Sequence, residues 1–499
     1  MMEDRGGKIG DRDPPASLAL SSILDLSASS LCHIRERWVL FAAVTIALAV
    51  WCAVDVSRRA RIDPLRPSQH MTDVTVYTEA GRAFFDGRAP YEVANIRGWK
   101  YLYPPLFALL IAPLSYLTPP WQASVWFAVS VLMCFGSYFE CRRLLHDSLN
   151  ADGWRNARLP GWLLVAAAVT AILPALNCLQ RGQIGIALLY PLLLGFRLIV
   201  TGRTAISWFA AGAVMALPIV FKLTPALPVA CVLFVAFVAA ASRRRYSADS
   251  HWQRAIWSSS GCLAGSILFF LLIPASLVGW DKNIACLHTW YDKVATKVND
   301  VRTDDFAEKV DSPRNQSLSN AVFRFGNWAA HEFAGGPDDR VTGKANGLMP
   351  MDAPIVSQIL LVLRGVALLA ILGVAVRAGR SRDPLLWGAA LGLACVATFV
   401  VSPVARGHYF VLFLPAALFV PLWLLQCDKP PAAFRAALIP AVLVGLHYGL
   451  LKYAGRIGVL GIGTTLWYFA ACARVTFGRE EASTAADGDV QLQDLSRAA

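Results

Sequence analysis

An all-α polytopic membrane protein of about twelve spans is the fold class this chain predicts, and three features carry the prediction. Of its 499 residues 56% are hydrophobic and only 16% charged, where a soluble protein of this size carries about a quarter charged residues. The mean hydropathy is +0.48. A net charge of +12 would suit nucleic acid, but the basic residues cluster in short loops between apolar runs, which is the positive-inside pattern. Membrane lipids are therefore expected as surroundings, and nucleic acid is not. The eleven cysteines show no CxxC and no Cys/His ligand spacing, so no zinc site, disulfide scaffold or cofactor is expected.

Residues 1–37 are polar, with Arg5, Lys8, Arg12, Arg35 and Arg37, and read as a cytoplasmic tail without a signal-peptide pattern. The first span follows at 38–56, long enough to cross a hydrocarbon core of about 30 Å. The chain then reaches an outer loop, 57–120, in which Val74, Tyr77, Ala80 and Phe84 recur at helical spacing. They predict an amphipathic helix from Asp73 to Gly87 with its apolar face along the bilayer. Next, YPPLFALLIAPLSYLTPP has prolines at both ends and one inside, too short and broken to span, and reads as a half-helix dipping in from outside. Charge supports that choice: with 121–139 crossing inward, Arg142, Arg143, Arg155 and Arg158 fall in the cytoplasm.

Further spans are expected near 160–176, 184–200, 205–221, 225–241 and 256–279. A polar outer segment, 280–353, precedes spans near 355–376, 385–402, 409–426, 436–451 and 457–473. Residues 476–499 read as a disordered cytoplasmic tail. On this count Asp73, Glu79, Tyr103, Gln183, Lys222, Asn315, Arg324 and His408 all reach the outer side at or just beyond span ends. Ionisable groups at this depth are costly unless paired or functional, so the convergence points to one extracytoplasmic site.

The motifs in that face carry a resemblance. Asp73 and Tyr77 as D-x-x-x-Y, Gly87 and Tyr91 as G-x-x-x-Y, then YPPLFALLIAPL, RGQ at 181–183, FKLTP with Lys222, NQSLSNAVFR and SPVARGHY run in an order that resembles glycosyltransferase family 87 over roughly residues 38–475. In the last motif Ala405, Arg406 and Gly407 stand where an aromatic often precedes the histidine, which leaves the surroundings of His408 open. The resemblance implies an integral membrane enzyme of the GT-C class in a bacterial inner membrane. It would move a hexose, mannose in the best-known members, from a polyprenyl-phosphate donor to a glycolipid or glycan hydroxyl, with inversion. Arabinose is chemically compatible as well.

By that analogy Asp73 is the general base. Partial burial would raise its pKa while nearby cations hold it ionised, and no paired acid is needed because the leaving group is a phosphate. Taken alone, Asp73 reads equally as a helix cap. The resemblance implies Lys222, Arg181, Arg324 and His408 for the donor phosphate, and a lysine at a span end also reads as snorkelling. Gln183 and Asn315 suit sugar or phosphate oxygens or helix caps. Tyr77 and Tyr103 suit a sugar face, and an interfacial aromatic belt enriches the same residues. The acids Asp300, Asp304, Asp305 and Glu308 read as a solvated loop and not as a metal site. A flippase for a lipid-linked saccharide is the alternative. It would show paired broken repeats and mid-span charges, and the sequence reading finds neither.

Overall fold

The structure, a computed structural model, describes residues 42–43, 46–60, 72–94, 100–151, 160–242, 248–295, 315–322, 354–381, 383–427, 429–455 and 457–478. Residues 1–37 and 479–499, most of the 280–353 segment with its acidic patch, Trp99 and Arg324 lie outside the described residues. The chain divides into two units, Met1–Asp55 and Val56–Ala499. The first is helical wherever it is described.

In the second unit the helices are α1 (Val74–Phe85), α2 (Pro105–Ile111), α3 (Pro119–Ala151), α4 (Gly161–Arg181), α5 (Gly185–Thr201), α6 (Ala205–Phe221), α7 (Ala226–Ser242) and α8 (Ala248–Ile267). A π turn, Leu268–Leu272, carries α8 into a last helical stretch, Ile273–Val278. Then come α9 (Trp280–Trp290), α10 (Pro354–Arg380), α11 (Pro384–Val401), α12 (Leu414–Gln426), α13 (Pro430–Gly449) and α14 (Val459–Phe477). Among the described residues eight helices are long and apolar enough to cross a membrane, and α5, α6 and α7 are apolar helices of seventeen residues each. The protein is an all-α polytopic membrane protein.

Helix ends follow local chemistry more closely than hydropathy does. Pro384 begins α11 directly after Asp383, whose carboxylate accepts the Leu385 N–H at 2.7 Å. Likewise α13 starts at Pro430, ahead of the apolar stretch beginning near 436, because proline at the first turn loses no helical hydrogen bond. The piece after Tyr103 is α2 followed by a 3-10 turn, Ala112–Tyr116. Its twelve residues rise only about 20 Å, well short of the hydrocarbon thickness.

The bundle has a centre and a rim. In α11, 89% of the apolar window is buried by protein, and in the stretch Gly407–Gln426 83% is, whereas the α8 window is 17% buried. The middle pair thus packs against helices on all sides while α8 keeps an apolar face for lipid.

Two expectations are corrected here. Helix α1 does not lay its apolar face along the bilayer: Val74, Val76, Tyr77, Ala80 and Phe84 are buried in protein. Its backbone presses on α2 and the following turn so closely that a Cβ on Gly81 would lie 2.4 Å from the Ala108 carbonyl oxygen. Charges also lie within helices. Arg197 of α5 pairs with Glu140 of α3, to which Arg143 adds a contact at 3.2 Å, and Arg364 in the first half of α10 donates to Ser319 Oγ at 2.7 Å. Each has a polar partner on a neighbouring segment, as a charge at such depth requires.

Removing one partner of a buried ion pair strands the other. Glu140→Ala is expected to cost about 3–5 kcal/mol, read as a lowered melting temperature in detergent, with Glu140→Ala/Arg197→Leu recovering part of the loss.

Candidate active site

Helix α4 ends in a turn that shapes everything around Asp73. Gly182 adopts φ +68°, ψ 36°, and its N–H reaches Leu179 O at 3.3 Å while the Gln183 N–H reaches Cys178 O at 2.9 Å. This double closure is a Schellman motif, and it requires a residue that tolerates the left-handed region. The turn presents the Arg181 carbonyl to the first loop, where it accepts the Asp73 N–H at 2.8 Å. A Cβ on Gly182 would stand 2.2 Å from Val74 Cγ2, so the start of α1 sits directly on the bare glycine.

Asp73 is 5% exposed and makes no side-chain cap to α1. Its Oδ2 accepts instead from Gln183 Nε2. The cap reading therefore does not describe this carboxylate. Glu79, on the same helix, is held by Arg88 in a partly solvated pair at 3.8 Å.

Beside Asp73 stand the tyrosines of the first loop. Tyr77 and Tyr103 bring their hydroxyls to 3.5 Å, with ring centroids 5.4 Å apart, and Phe107 packs edge-on to both. Tyr101 accepts the Ala108 N–H at 3.0 Å and donates to Pro104 O at 2.7 Å, which ties the proline pair to the start of α2. Tyr91, Tyr101, Tyr77 and Tyr103 are all buried, so they form an internal cluster and not a lipid-facing belt. Burial, then the neighbouring Tyr103 and Asp73 charges, push the Tyr77 hydroxyl well above its ordinary range. Burial does the same for Tyr103. Both remain neutral donors at any working pH.

The cationic side is built from three other segments. Lys222 follows α6 in extended conformation, and its Nζ lies 3.3 Å from the Tyr409 ring centroid and 5.6 Å from that of Tyr103. Burial pushes its ammonium below the usual lysine range, with Tyr409 opposing. A narrow cleft here is lined by Gly185, Lys222, Thr224, Ser402 and Tyr409. His408, 1% exposed, is fixed through its carbonyl, which accepts from Cys178 Sγ at 3.2 Å. Its Nε2 is buried and meets no hydrogen-bond partner among the described residues. Arg181, Lys222 and Arg406 all lie near enough to act on its charge.

Asn315 holds the cationic turn in place. Its Oδ1 accepts the N–H groups of Ala405 at 3.0 Å and Ser317 at 3.2 Å, and its backbone bridges Arg406. Gln316 continues the clamp, donating to Gly455 O at 3.1 Å and accepting the Gly461 N–H at 3.4 Å. The structure therefore brings together Asp73, Gln183, Arg181, Lys222, His408, Tyr77 and Tyr103, with Asn315 holding the turn before His408. Arg324 lies outside the described residues.

Residues 101–403 match glycosyltransferase family 87. The chain belongs to this family. Over 394 residues it is 26% identical to a polyprenol-phosphate-mannose-dependent alpha-(1-2)-phosphatidylinositol mannoside mannosyltransferase of Mycolicibacterium smegmatis, covering 76% of this chain and 74% of that protein. No solved structure matches the chain.

As a family 87 glycosyltransferase it carries Tyr103, Arg181, Gln183, Lys222 and Asn315 inside the matched span. Asp73, Tyr77 and His408 lie outside it and join the same site through the fold. Sequence reasoning missed three residues, one of them Tyr409, whose ring centroid lies 3.3 Å from Lys222 Nζ. Arg406 acts electrostatically on Tyr103, Lys222, His408 and Tyr409, and its signal was a cation two positions before His408 in one outer turn. Arg364 reaches the Asn315–Asn320 stretch through Ser319, and its signal was an arginine inside an apolar run.

The bare Gly182 can be tested directly. Gly182→Ala places a side chain in the left-handed region, at a cost of about 1–2 kcal/mol, and drives it into Val74. Transfer is expected to fall at least tenfold, while Gly87→Ala, with φ +73° but open space around it, should lose stability and keep transfer.

Proposed function

We propose that this glycosyltransferase moves mannose from a polyprenyl-phosphate donor to a hydroxyl of a mannosylated glycolipid, with Asp73 as general base, at the extracytoplasmic face of a bacterial inner membrane. The observation that carries the reading is a buried carboxylate aligned by an amide donor, flanked by neutral tyrosine hydroxyls, and facing a cationic wall of Lys222, Arg181 and Arg406 beside His408. The donor and acceptor named for the mycobacterial relative supply the substrate classes. The side assignment is supported by charge: Arg203, Arg377 and Arg380 stand at or beside the helix ends away from Asp73.

The chemistry fits one displacement. The acceptor oxygen attacks the anomeric carbon, its proton passes to Asp73, and the bond from that carbon to the phosphate oxygen breaks, with inversion. The donor phosphodiester carries one negative charge and leaves as a monoester that gains a second. Cations near the phosphate therefore bind the transition state more tightly than the donor, which is the condition for acceleration. Tyr77 and Tyr103 lie between base and cations, where their hydroxyls suit the sugar.

Two outcomes test the assignment, each measured with purified protein, radiolabelled polyprenyl-phosphate mannose and a phosphatidylinositol mannoside. Asp73→Asn is expected to lower kcat by about 10²–10⁴-fold with donor binding retained; near-native turnover would remove Asp73 from the role of base. Lys222→Met should raise the donor KM. Because burial depresses the Lys222 ammonium, its charge is lost as pH rises before the ordinary lysine value of about 10.4. Donor affinity should thus weaken on the alkaline side, and Lys222→Arg should hold that affinity to higher pH.

A further inference from the structure

The geometry points to Gln183 as a positioning residue for the base, acting on the carboxylate of Asp73 and not on the sugar or the phosphate. The inference rests on the reading of Asp73 as general base. Its side-chain amide donates to Asp73 Oδ2 across 110 residues of sequence, and both side chains are 5% exposed. The amide hydrogen given to the carboxylate is not offered to a ligand.

The backbone shows why this contact is fixed. Arg181, Gly182 and Gln183 are three consecutive residues, and each meets the start of α1: the Arg181 carbonyl takes the Asp73 N–H, Gly182 receives Val74, and Gln183 donates to the carboxylate. The Gln183 N–H is itself anchored on Cys178, whose thiol holds the His408 carbonyl. The turn is thus a mould that sets main chain and side chain of residue 73 together. A carboxylate that accepts from a fixed amide keeps one rotamer, so the near-attack geometry is set before the acceptor arrives.

A sugar ligand and a positioning residue respond differently to loss of the amide. Gln183→Met keeps the length of the side chain and removes its donor. With polyprenyl-phosphate mannose and a phosphatidylinositol mannoside, the variant is expected to lose kcat by up to about 100-fold while the donor KM stays within about twofold. In the Asp73→Asn background, donor binding measured directly should not change when Gln183→Met is added, because Gln183 acts only through the carboxylate. A raised donor KM with native kcat, or weaker donor binding in the Asp73→Asn background, would make Gln183 a ligand and overturn the inference. Native kcat in Gln183→Met alongside an inactive Asp73→Asn would overturn it while leaving the base assignment standing. Full turnover in Asp73→Asn would end both. A second variant, Gln183→Glu, preserves shape but makes the two buried carboxyl groups share one proton, which takes charge from Asp73, and it is expected to lower kcat further than Gln183→Met at unchanged donor KM.

Discussion

One backbone hydrogen bond, from the Asp73 N–H to the Arg181 carbonyl, joins the first loop to the helical bundle at the candidate site. It forms because a helix ending in a left-handed glycine turns its last carbonyls outward, and here one of them meets α1 instead of water. Around that bond the rest follows. Val74 fills the space that a side chain on residue 182 would occupy, Gln183 reaches the carboxylate, and the thiol one turn earlier in α4 catches His408. A single helix terminus therefore holds Asp73, Gln183 and His408 together across more than 300 residues of chain.

The central helices explain why the turn can serve as a reference. Buried on most sides, α11 and the Gly407–Gln426 stretch present the bundle with a fixed floor, on which the Ala405–His408 turn sits. That turn is clamped from outside by the Asn315 side chain and the Gln316 N–H, which the Ala405 carbonyl accepts, and Arg364 pins Ser319 a few residues on. An arginine within an apolar helix is expensive in lipid. Its guanidinium is instead turned toward the Asn315–Asn320 segment, which explains how a polar loop is tolerated at a span end.

Span positions were legible in the sequence because each crossing must be apolar over a length set by the bilayer, and that constraint acts on every residue of the run. The candidates Lys222 and His408 stand out in the sequence for the converse reason: polar groups interrupting apolar runs are few, and charge in the loops sorts their ends into two sets. Pairing was not legible. Nothing in the periodicity of 74–85 says whether its apolar face meets lipid or α2, since both are equally apolar, and the answer lies in Gly81 and the short helix it touches. The same holds for Gln183, which offers the same amide to a sugar, a helix end or Asp73. Its partner is decided only when the φ of Gly182 sets where the next side chain points. Arg197 and Glu140 were overlooked for a related reason, because a window average over seventeen apolar residues hides one charge whose partner sits on another helix.

On the proposed chemistry the charges of the site are redistributed and not created. Asp73 begins ionised and ends neutral, while the phosphate begins with one negative charge and ends with two. The site therefore needs different surroundings at its two ends. At the base, a permanent cation hydrogen-bonded to the carboxylate would stabilise the state that must be given up, lowering basicity as it improved order. An amide orients the carboxylate at less cost in proton affinity, and Gln183 is an amide. At the phosphate, full charges are useful because the charge they face increases as the bond breaks, and Lys222, Arg181 and Arg406 gather around His408 on that side. The tyrosines between them, kept neutral by burial, donate hydrogen bonds without adding a charge of their own. The division between neutral donors near Asp73 and cations near His408 is thus what a transfer that shifts negative charge from base to leaving group demands of its surroundings.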